Sequence, residues 1–333
     1  MTAYTRPLGE LRAPDAGEFG GKSANLGELL VAQIPIPPGF ALDAGAYREF
    51  VHLTGLAGTI ASALRHGEDD ASKTIGEAMR FAPLPEEVRD ELVAAYGAIG
   101  EPPVAVRSSA LGEDSRDATF AGQQESFLWV RGFEHLCDAV RDCWASLYTP
   151  RAIAYRRRLN MTDTAMGVTV QEMVDAEVSG VLFTCNPVSG DPSMVAVNAS
   201  WGLGIAVVGG ETTPDDYLIS KITGEVVRQT ISSKEIEYVP EAAGRGTVRR
   251  EVPPERRDRP CLEPDRLAAL VELGRRVEKH FGSLQDVEWA IDRDGSPFVL
   301  QARPVTATAK TTSRLSGSAL SRVMSTFGVP EKD

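Results

Sequence analysis

Two stretches near residue 290, DVEWAID and FVLQAR, have the pattern of a two-stranded hairpin with one apolar face and one partly polar face. In the first, Val287, Trp289 and Ile291 alternate with Asp286, Glu288 and Ala290; in the second, Phe298, Leu300 and Ala302 alternate with Val299, Gln301 and Arg303. A turn at residues 293–296 would pair Asp292 with Pro297. That pairing decides which side chains of the two strands lie opposite each other.

In this register Glu288 lies directly opposite Gln301, and Asp286 lies opposite Arg303, all on one face. Mg²⁺ prefers hard oxygen ligands such as a carboxylate and an amide oxygen, and it takes further ligands from phosphates and water. The fork of an arginine matches phosphate oxygens. The hairpin is therefore a candidate magnesium–phosphate site, although a solvated face with a cross-strand salt bridge has the same pattern.

A second candidate for phosphate binding is VAVRSSALGEDS, in which Arg107 ends a short apolar strand and two serines follow. An arginine followed by small hydroxyl residues can hold an anion with side-chain and backbone donors, but an ordinary surface turn fits the same string. Nearby, TFAGQQ has an Ala-Gly pair between Phe120 and Gln123. Such a pair suits a mobile loop that closes over phosphates.

The string GEFGGKS looks like a P-loop, but its spacing excludes that motif. Only three residues separate Gly17 from Gly21, and Ala16 stands where the first glycine is required. Lys22 can still bind phosphate at the start of a helix predicted at Ala24–Val31, where free amides and the helix dipole favour anions. An exposed lysine with no ligand is the alternative.

The bulk properties restrict the class of protein. The chain has 333 residues, 42% hydrophobic and 25% charged, as in a folded protein with a sizeable core. Its 35 basic and 47 acidic residues give a net charge of -12, which argues against nucleic-acid binding.

No segment has the apolar length of a signal peptide or membrane span, so we expect a cytoplasmic protein without a membrane partner. The four cysteines form no CxxC pair and are expected to be reduced thiols.

Helical and strand patterns alternate without the regularity of a βαβ array, so the predicted fold class is α+β. Helical periodicity covers Ala24–Val31, Ala44–Leu64, Glu86–Tyr96, Phe133–Tyr148 and Asp265–Phe281. Strand patterns cover Val104–Arg107, Phe127–Val130, Gly167–Glu172, Val178–Thr184, Val195–Ala199 and a hairpin at Tyr217–Arg228. Residues 240–264 predict an exposed loop, and residues 306–333 predict a linker or flexible tail.

Taken together, these segments resemble the N-terminal ATP-binding domain of the phosphoenolpyruvate synthase and pyruvate phosphate dikinase family, which rifampicin phosphotransferase and the ATP-binding subunit of phenylphosphate synthase share. Six ordered matches between Gly20 and Val305 carry the resemblance: GGKSANLGEL, IPIPPGFAL, VAVRSSALGEDS with TFAGQQESFL, VQEMVDAEVSGVLFTCNPVSG, TPDDY, and HFGSLQDVEWAID with LQARPV. The resemblance implies an ATP-grasp fold, in which two α+β lobes hold ATP in the cleft between them. We expect the lobes at residues 1–170 and 171–305.

The resemblance also implies a role for individual residues. Lys22, Arg107 and Arg303 would bind the phosphates of ATP and carry catalysis. Glu288 and Gln301 would bind Mg²⁺, in agreement with the hairpin geometry.

Two further segments would bind or cover the nucleotide, again by resemblance. The segment that links the lobes, which alone looks like an ordinary strand end, would take the adenine with its backbone and apolar side chains: Gln171, Glu172, Met173 and Val174. The loop Thr119–Gln123, which includes Gly122, would cover the phosphates.

The chain departs from the family pattern at two points. The family often has a glutamate after the Gly-Leu-Gly string at residues 202–204, but here Ile205 follows, and Glu211 six residues later could take over a polar contact. Family members pass the β-phosphoryl of ATP to a histidine in a separate swivelling domain, marked by a Thr-Ser-His string that this chain lacks. His280, at a helix end, is expected to be structural.

Three hypotheses about function follow. The leading one is the ATP-binding half of a split dikinase, which uses Mg-ATP to phosphorylate a histidine on a partner domain or subunit in trans, with release of AMP. The partner then phosphorylates a small-molecule acceptor. The second makes these residues an excised domain of a longer rifampicin phosphotransferase or phosphoenolpyruvate synthase. The third, of another class, is a non-catalytic nucleotide-binding regulatory protein in which Ile205 has removed turnover.

Overall fold

The computed structural model of the chain describes residues 3–111, 125–159, 164–242, 244 and 246–305. These residues form two compact units, each made of several separate segments of the chain. The first unit holds residues 3–28, 38–111, 125–159, 164–173, 244 and 246, and the second holds residues 29–37, 174–242 and 247–305. Both units combine helices with a sheet, so the predicted α+β class is confirmed, with the two units that an ATP-grasp fold requires. The lobe boundary expected after residue 170 stays a prediction.

The first unit is built on a five-stranded antiparallel sheet with the spatial order β1-β2-β5-β3-β4. Its strands are β1 (Thr5–Pro7), β2 (Gly39–Leu42), β3 (Val104–Ala110), β4 (Ser126–Val130) and β5 (Met166–Glu172). Side chains alternate between the two faces of each strand. Val168 and Val170 point into a core of helices, so Thr169 and Gln171 point to the opposite, polar face.

The helices of the first unit are α1 (Ala16–Phe19), α2 (Gly21–Val31, whose last three residues belong to the second unit), α3 (Ala44–Leu53), α4 (Leu56–Ala63), α5 (Glu68–Phe81), α6 (Glu86–Ala98), α7 (Phe133–Ala145) and α8 (Pro150–Leu159). The prediction of one continuous helix over Ala44–Leu64 is wrong. Gly55 adopts a φ of 70° and separates α3 from α4. Trp144 fills the core between these helices, with its ring 5.1 Å from that of Phe50.

The second unit contains a six-stranded antiparallel sheet with the spatial order β13-β12-β6-β7-β8-β9. Its strands are β6 (Ala176–Phe183), β7 (Met194–Trp201), β8 (Asp215–Ser220), β9 (Val226–Thr230), β12 (Gln285–Asp292) and β13 (Pro297–Pro304). A separate hairpin pairs β10 (Ile236–Pro240) with β11 (Thr247–Glu251). The exposed loop predicted at residues 240–264 is therefore wrong in part, because the polar strand β11 lies inside it.

The described residues of the second unit include the helices α9 (Ile205–Val208), α10 (Pro254–Arg257) and α11 (Pro264–Phe281). Helix α11 packs closely against the sheet at Gly274, where a Cβ atom would lie 2.6 Å from Leu182 Cδ2. Glycine at this position thus permits the close approach of helix to strand. Among the described residues, none of the helices combines the length and the apolar composition that a membrane span requires.

Candidate functional site

The start of α2 places Lys22 against strand β3. Helix α1 ends at Gly20, whose φ is 80° and where a Cβ atom would meet the carbonyl oxygen of Ser109 at 2.3 Å. Only glycine allows this approach. Lys22 follows on the first turn of α2, is 8% exposed, and donates a hydrogen bond from Nζ to the carbonyl oxygen of Ser108 at 2.9 Å. A nearly buried cation therefore stands at a helix N-terminus.

Arg107 lies on the polar face of the same sheet. It stands opposite Thr169 in the β3–β5 register, and its Nη1 donates to Gln171 Oε1 at 3.3 Å. A hydrogen bond of 2.7 Å joins the Thr169 and Ser23 hydroxyl oxygens and ties the start of α2 to β5. The sequence analysis did not single out Thr169 or Ser23. Alternation could have indicated Thr169, because it lies between the core residues Val168 and Val170 and so points to the opposite face of β5.

The side-chain amide of Gln171 is buried beside Arg107. The side chain is 1% exposed, and its Nε2 has no partner among the described residues, although Oε1 accepts from Arg107. A buried donor without an acceptor is costly. An acceptor on a bound ligand would remove that cost.

The remaining predicted adenine-binding residues follow directly at the end of β5. The amide of Glu172 donates to the carbonyl oxygen of Pro38, and that of Met173 donates to the carbonyl oxygen of Pro103, both at 2.8 Å. No partner is found within the described ranges for the amide of Val174, the first residue of this stretch in the second unit. The Val174 amide is therefore the one of these three that can donate to a ligand.

The last hairpin differs from its predicted register near the turn. The pairing of Asp292 with Pro297 is wrong, because Ile291 pairs with Pro297. The Asp292 amide instead donates to the carbonyl oxygen of Ser296 at 3.1 Å, and Gly295 takes a φ of 87° inside this longer turn.

A bulge in β13 then restores the predicted register. Trp289 pairs with Val299 and Glu288 pairs with Gln301, so Leu300 is an extra residue. Val299 consequently lies opposite the buried Trp289 and is itself fully buried, rather than sharing the face of Gln301 as its position in the sequence predicts.

Glu288 and Gln301 place a carboxylate and a side-chain amide at opposed positions on one face of the last hairpin. Both side chains are partly buried and lie opposite each other. Within the described ranges, neither side chain takes part in a hydrogen bond or ion pair. The same residues contain no group of three or more His, Cys, Asp or Glu that could hold a metal ion alone. A carboxylate and an amide oxygen fit Mg²⁺ whose other ligands come from phosphate and water.

Asp286 holds Arg303 beside this pair. The Arg303 Nε and Nη2 atoms both lie 2.9 Å from Asp286 Oδ2, and Asp286 is 5% exposed. Burial raises the pKa of Asp286 above its usual range, and the Arg303 charge opposes that rise. The ion pair fixes the guanidinium near Glu288 and Gln301.

An apolar patch lies on the same face of the sheet. Directly opposed residues on neighbouring strands share a face. A row of opposed residues crosses four neighbouring strands in the order Asp286, Phe183, Ala196 and Leu218. Phe183, Ala196 and Leu218 form a small buried cluster. The side chains of Glu288 and Gln301 and this apolar patch therefore lie on the same face of the sheet.

Three further predicted features have different outcomes. The loop Thr119–Gln123, with Gly122, lies outside the described residues. Ile205 begins the short helix α9. The carboxylate of Glu211, the suggested replacement, accepts from the Tyr238 hydroxyl at 3.0 and 3.1 Å.

Comparison with known proteins gives a consistent result. Residues 16–321 match the family described as "Pyruvate phosphate dikinase, AMP/ATP-binding domain". A probable phosphoenolpyruvate synthase of Methanothermobacter thermautotrophicus is 43% identical over 327 residues, covering 94% of this chain and 47% of that protein. The phosphoenolpyruvate synthase of Pyrococcus furiosus is 37% identical over 351 residues, covering 89% and 43%. That of Aeropyrum pernix is 40% identical over 330 residues, covering 86% and 40%. The chain thus spans less than half the length of each of these relatives.

Proposed function

Because this chain belongs to the family of pyruvate phosphate dikinase AMP/ATP-binding domains, we propose that it is the ATP-binding half of a dikinase. In this proposal it passes the β-phosphoryl of ATP to a histidine on another domain or subunit, which then phosphorylates a small acceptor. The observation that carries the proposal is the pairing of Glu288 with Gln301 across the last hairpin, where neither side chain has a hydrogen bond or ion pair within the described ranges.

The phosphates would be bound by cations that the fold already orients. Lys22 is held by the Ser108 carbonyl, and Arg303 is held by Asp286. Arg107 is held by the Gln171 amide oxygen. Charges that are fixed before the reaction stabilise the charge that develops on transferring phosphoryl groups. Mg²⁺, held by Glu288 and Gln301, would neutralise phosphate charge as a Lewis acid.

The base of the nucleotide would be bound by groups that have no protein partner in the described part of the chain. The Val174 amide and Gln171 Nε2 are two such donors. Adenine carries ring-nitrogen acceptors and an apolar ring, which would suit these donors and the Phe183–Ala196–Leu218 patch.

The proposed reaction has a defined balance of atoms. A histidine nitrogen attacks the β-phosphorus, and the bond between that phosphorus and the oxygen bridging it to the α-phosphorus breaks. AMP leaves with this oxygen. The β- and γ-phosphoryl groups move together, so water must remove the γ-phosphoryl as phosphate to leave a singly phosphorylated histidine.

A second candidate function is nucleotide sensing without turnover. It is favoured by Ile205, which stands where relatives of this family often have a carboxylate, and by Glu211, which is engaged with Tyr238. It would give ATP binding without AMP formation.

Labelled ATP tests the proposal. The chain would be incubated with Mg²⁺, ATP labelled at the β-phosphorus and a purified histidine-carrying domain from one of the longer relatives or from a neighbouring gene. We expect acid-labile label on the partner, AMP as product, and γ-label released as phosphate. ATP binding without AMP would favour the sensing function, and ADP as the product would contradict both candidates.

A further inference from the structure

A groove on the helical side of the first unit has an unusual lining. It has a volume of about 800 Å³ and lies among α3, α4 and α8. The described residues that line it include three arginines and one histidine but no Asp or Glu. The chain as a whole has 47 acidic and 35 basic residues, so this concentration of basic groups runs against its composition.

Arg156 is the central cation of the groove. It is partly buried, and its guanidinium carbon lies 5.1 Å from the centre of the Tyr148 ring. Within the part of the chain that the structure describes, it has no hydrogen bond or ion pair. Burial lowers the pKa of Arg156 from its ordinary value, so the protein offers this charge little compensation. Half-buried arginines usually have an anionic or hydrogen-bonding partner.

The neighbouring groups complete an amphipathic pocket. The hydroxyl oxygens of Tyr47 and Tyr148 lie 2.6 Å apart, and either can be the donor. When Tyr47 donates to Tyr148, the Tyr148 hydroxyl can donate its own hydrogen to a ligand. Val51, Leu64 and Ile153 supply apolar walls. A small number of oriented polar groups within apolar walls is the usual composition of a small-molecule site.

The other two arginines of the groove differ in their hydrogen bonds and ion pairs. Arg157 is bound to the Glu68 carboxylate and donates to the carbonyl oxygens of Leu64 and His66. Arg48 is exposed at the rim and has no hydrogen bond or ion pair within the described ranges. Arg48 and Arg156 are therefore the two cations available to a ligand.

We propose that this groove binds a small anionic molecule, with one carboxylate or phosphate-type group on an aromatic or aliphatic body. The anion would contact Arg156 and the Tyr148 hydroxyl, and the body would lie against Val51 and Leu64. The groove is distinct from the residues proposed to bind ATP. It lies on the helical side of the first sheet, whereas Thr169 and Gln171 point to the other face.

Benzoate, phenylphosphonate and neutral benzamide are suitable probes, and their affinities can be measured by calorimetry with and without saturating Mg-ATP. We expect both anions to bind, benzamide to bind at least about tenfold more weakly, and ATP to leave these affinities unchanged. The anion that binds more tightly shows whether the anionic group of the ligand is a carboxylate or a phosphate-type group. Failure of both anions at millimolar concentration, or equal binding of benzamide, would overturn the proposal.

Variants locate the binding. Arg156→Gln should weaken the binding of the stronger anion by about tenfold or more, and Arg156→Lys should recover part of it. Arg158→Gln is the matched control, because Arg158 is exposed on the same helix outside the groove lining. Ala61→Trp should block the groove from an exposed lining position without altering any cation. Unchanged affinity in both Arg156→Gln and Ala61→Trp would contradict binding in this groove. Binding of an acidic peptide but of neither small anion would also contradict the proposal.

Discussion

Glu288 and Gln301 stand opposite each other across the last hairpin because two departures from a regular hairpin cancel. The turn begins at Asp292 and is one residue longer than the pattern predicts, and Leu300 is an extra residue in β13. Pro297 has no amide hydrogen, so it cannot donate to a partner at Asp292 as a regular ladder would require. The bulge returns Gln301 to the face that carries Glu288.

The first prediction concerns metal binding by this pair. Glu288→Gln and Gln301→Met should each weaken Mn²⁺ binding in the presence of ATP by roughly tenfold or more, since each removes a charge or an oxygen that we propose binds the metal. Electron paramagnetic resonance of free Mn²⁺ measures the change. The matched controls are Glu272→Gln and Gln229→Met, which change exposed side chains of the second unit. Equal effects in the controls would remove both residues from the proposed site.

A second prediction concerns the buried lysine of the first unit. Lys22→Met keeps most of the length of the side chain but removes its charge, and we expect ATP affinity to fall by about tenfold or more. Circular dichroism should show an unchanged fold. Lys73→Met, at an exposed position on α5, is the control. Unaltered ATP affinity in Lys22→Met would exclude a phosphate-binding role.

A third prediction is a pH dependence of stability caused by Asp286. Its pKa is raised in the folded chain, chiefly by burial, so the folded state holds the proton more tightly than the unfolded state. This contribution is fully present below the ordinary Asp pKa and is lost as pH rises through the raised value. The free energy of unfolding of the native chain, relative to Asp286→Asn, should therefore fall over that window and then become constant.

Urea denaturation of both proteins across the acidic to neutral range measures this difference. Arg303→Met removes the charge that opposes the effect of burial, so it should move the fall to higher pH. A difference that grows as pH rises would mean that the pKa of Asp286 is lowered in the folded chain.

The sequence predicted those parts of the structure that depend on periodicity, and it failed where the backbone departs from regularity. Alternation with a regular turn predicted that Glu288 pairs with Gln301, and the prediction holds because the longer turn and the bulge compensate for each other. The extra residue Leu300 leaves no trace in composition, and Gly55 interrupts a helical pattern that its neighbours continue. The strand Thr247–Glu251 is polar and mostly exposed, so no apolar alternation marks it. The contact between Arg107 and Gln171 joins residues that are 64 positions apart in the sequence. It depends on how β3 pairs with β5, which the local sequence pattern does not determine.

The second unit also contains a fully buried ion pair. Lys234 Nζ lies 2.5 Å from Asp215 Oδ1, and both side chains are 0% exposed. Asp215 also accepts from the amides of Ser232 at 3.0 Å and Cys261 at 2.8 Å. One carboxylate thus connects β8 to two later segments of the chain, and its charge is compensated inside the protein.

The last prediction follows from that burial. Lys234→Met leaves the Asp215 charge without its ionic partner, and such a change costs about 3–5 kcal/mol in the free energy of unfolding. Adding Asp215→Asn should recover part of the loss, because the double variant contains no uncompensated buried charge. Arg228→Met is the control, since it breaks the more exposed pair with Asp216 and should cost only about 0–1 kcal/mol. Urea denaturation compares the variants, and a Lys234→Met cost no larger than that of Arg228→Met would show that the buried pair adds little to stability.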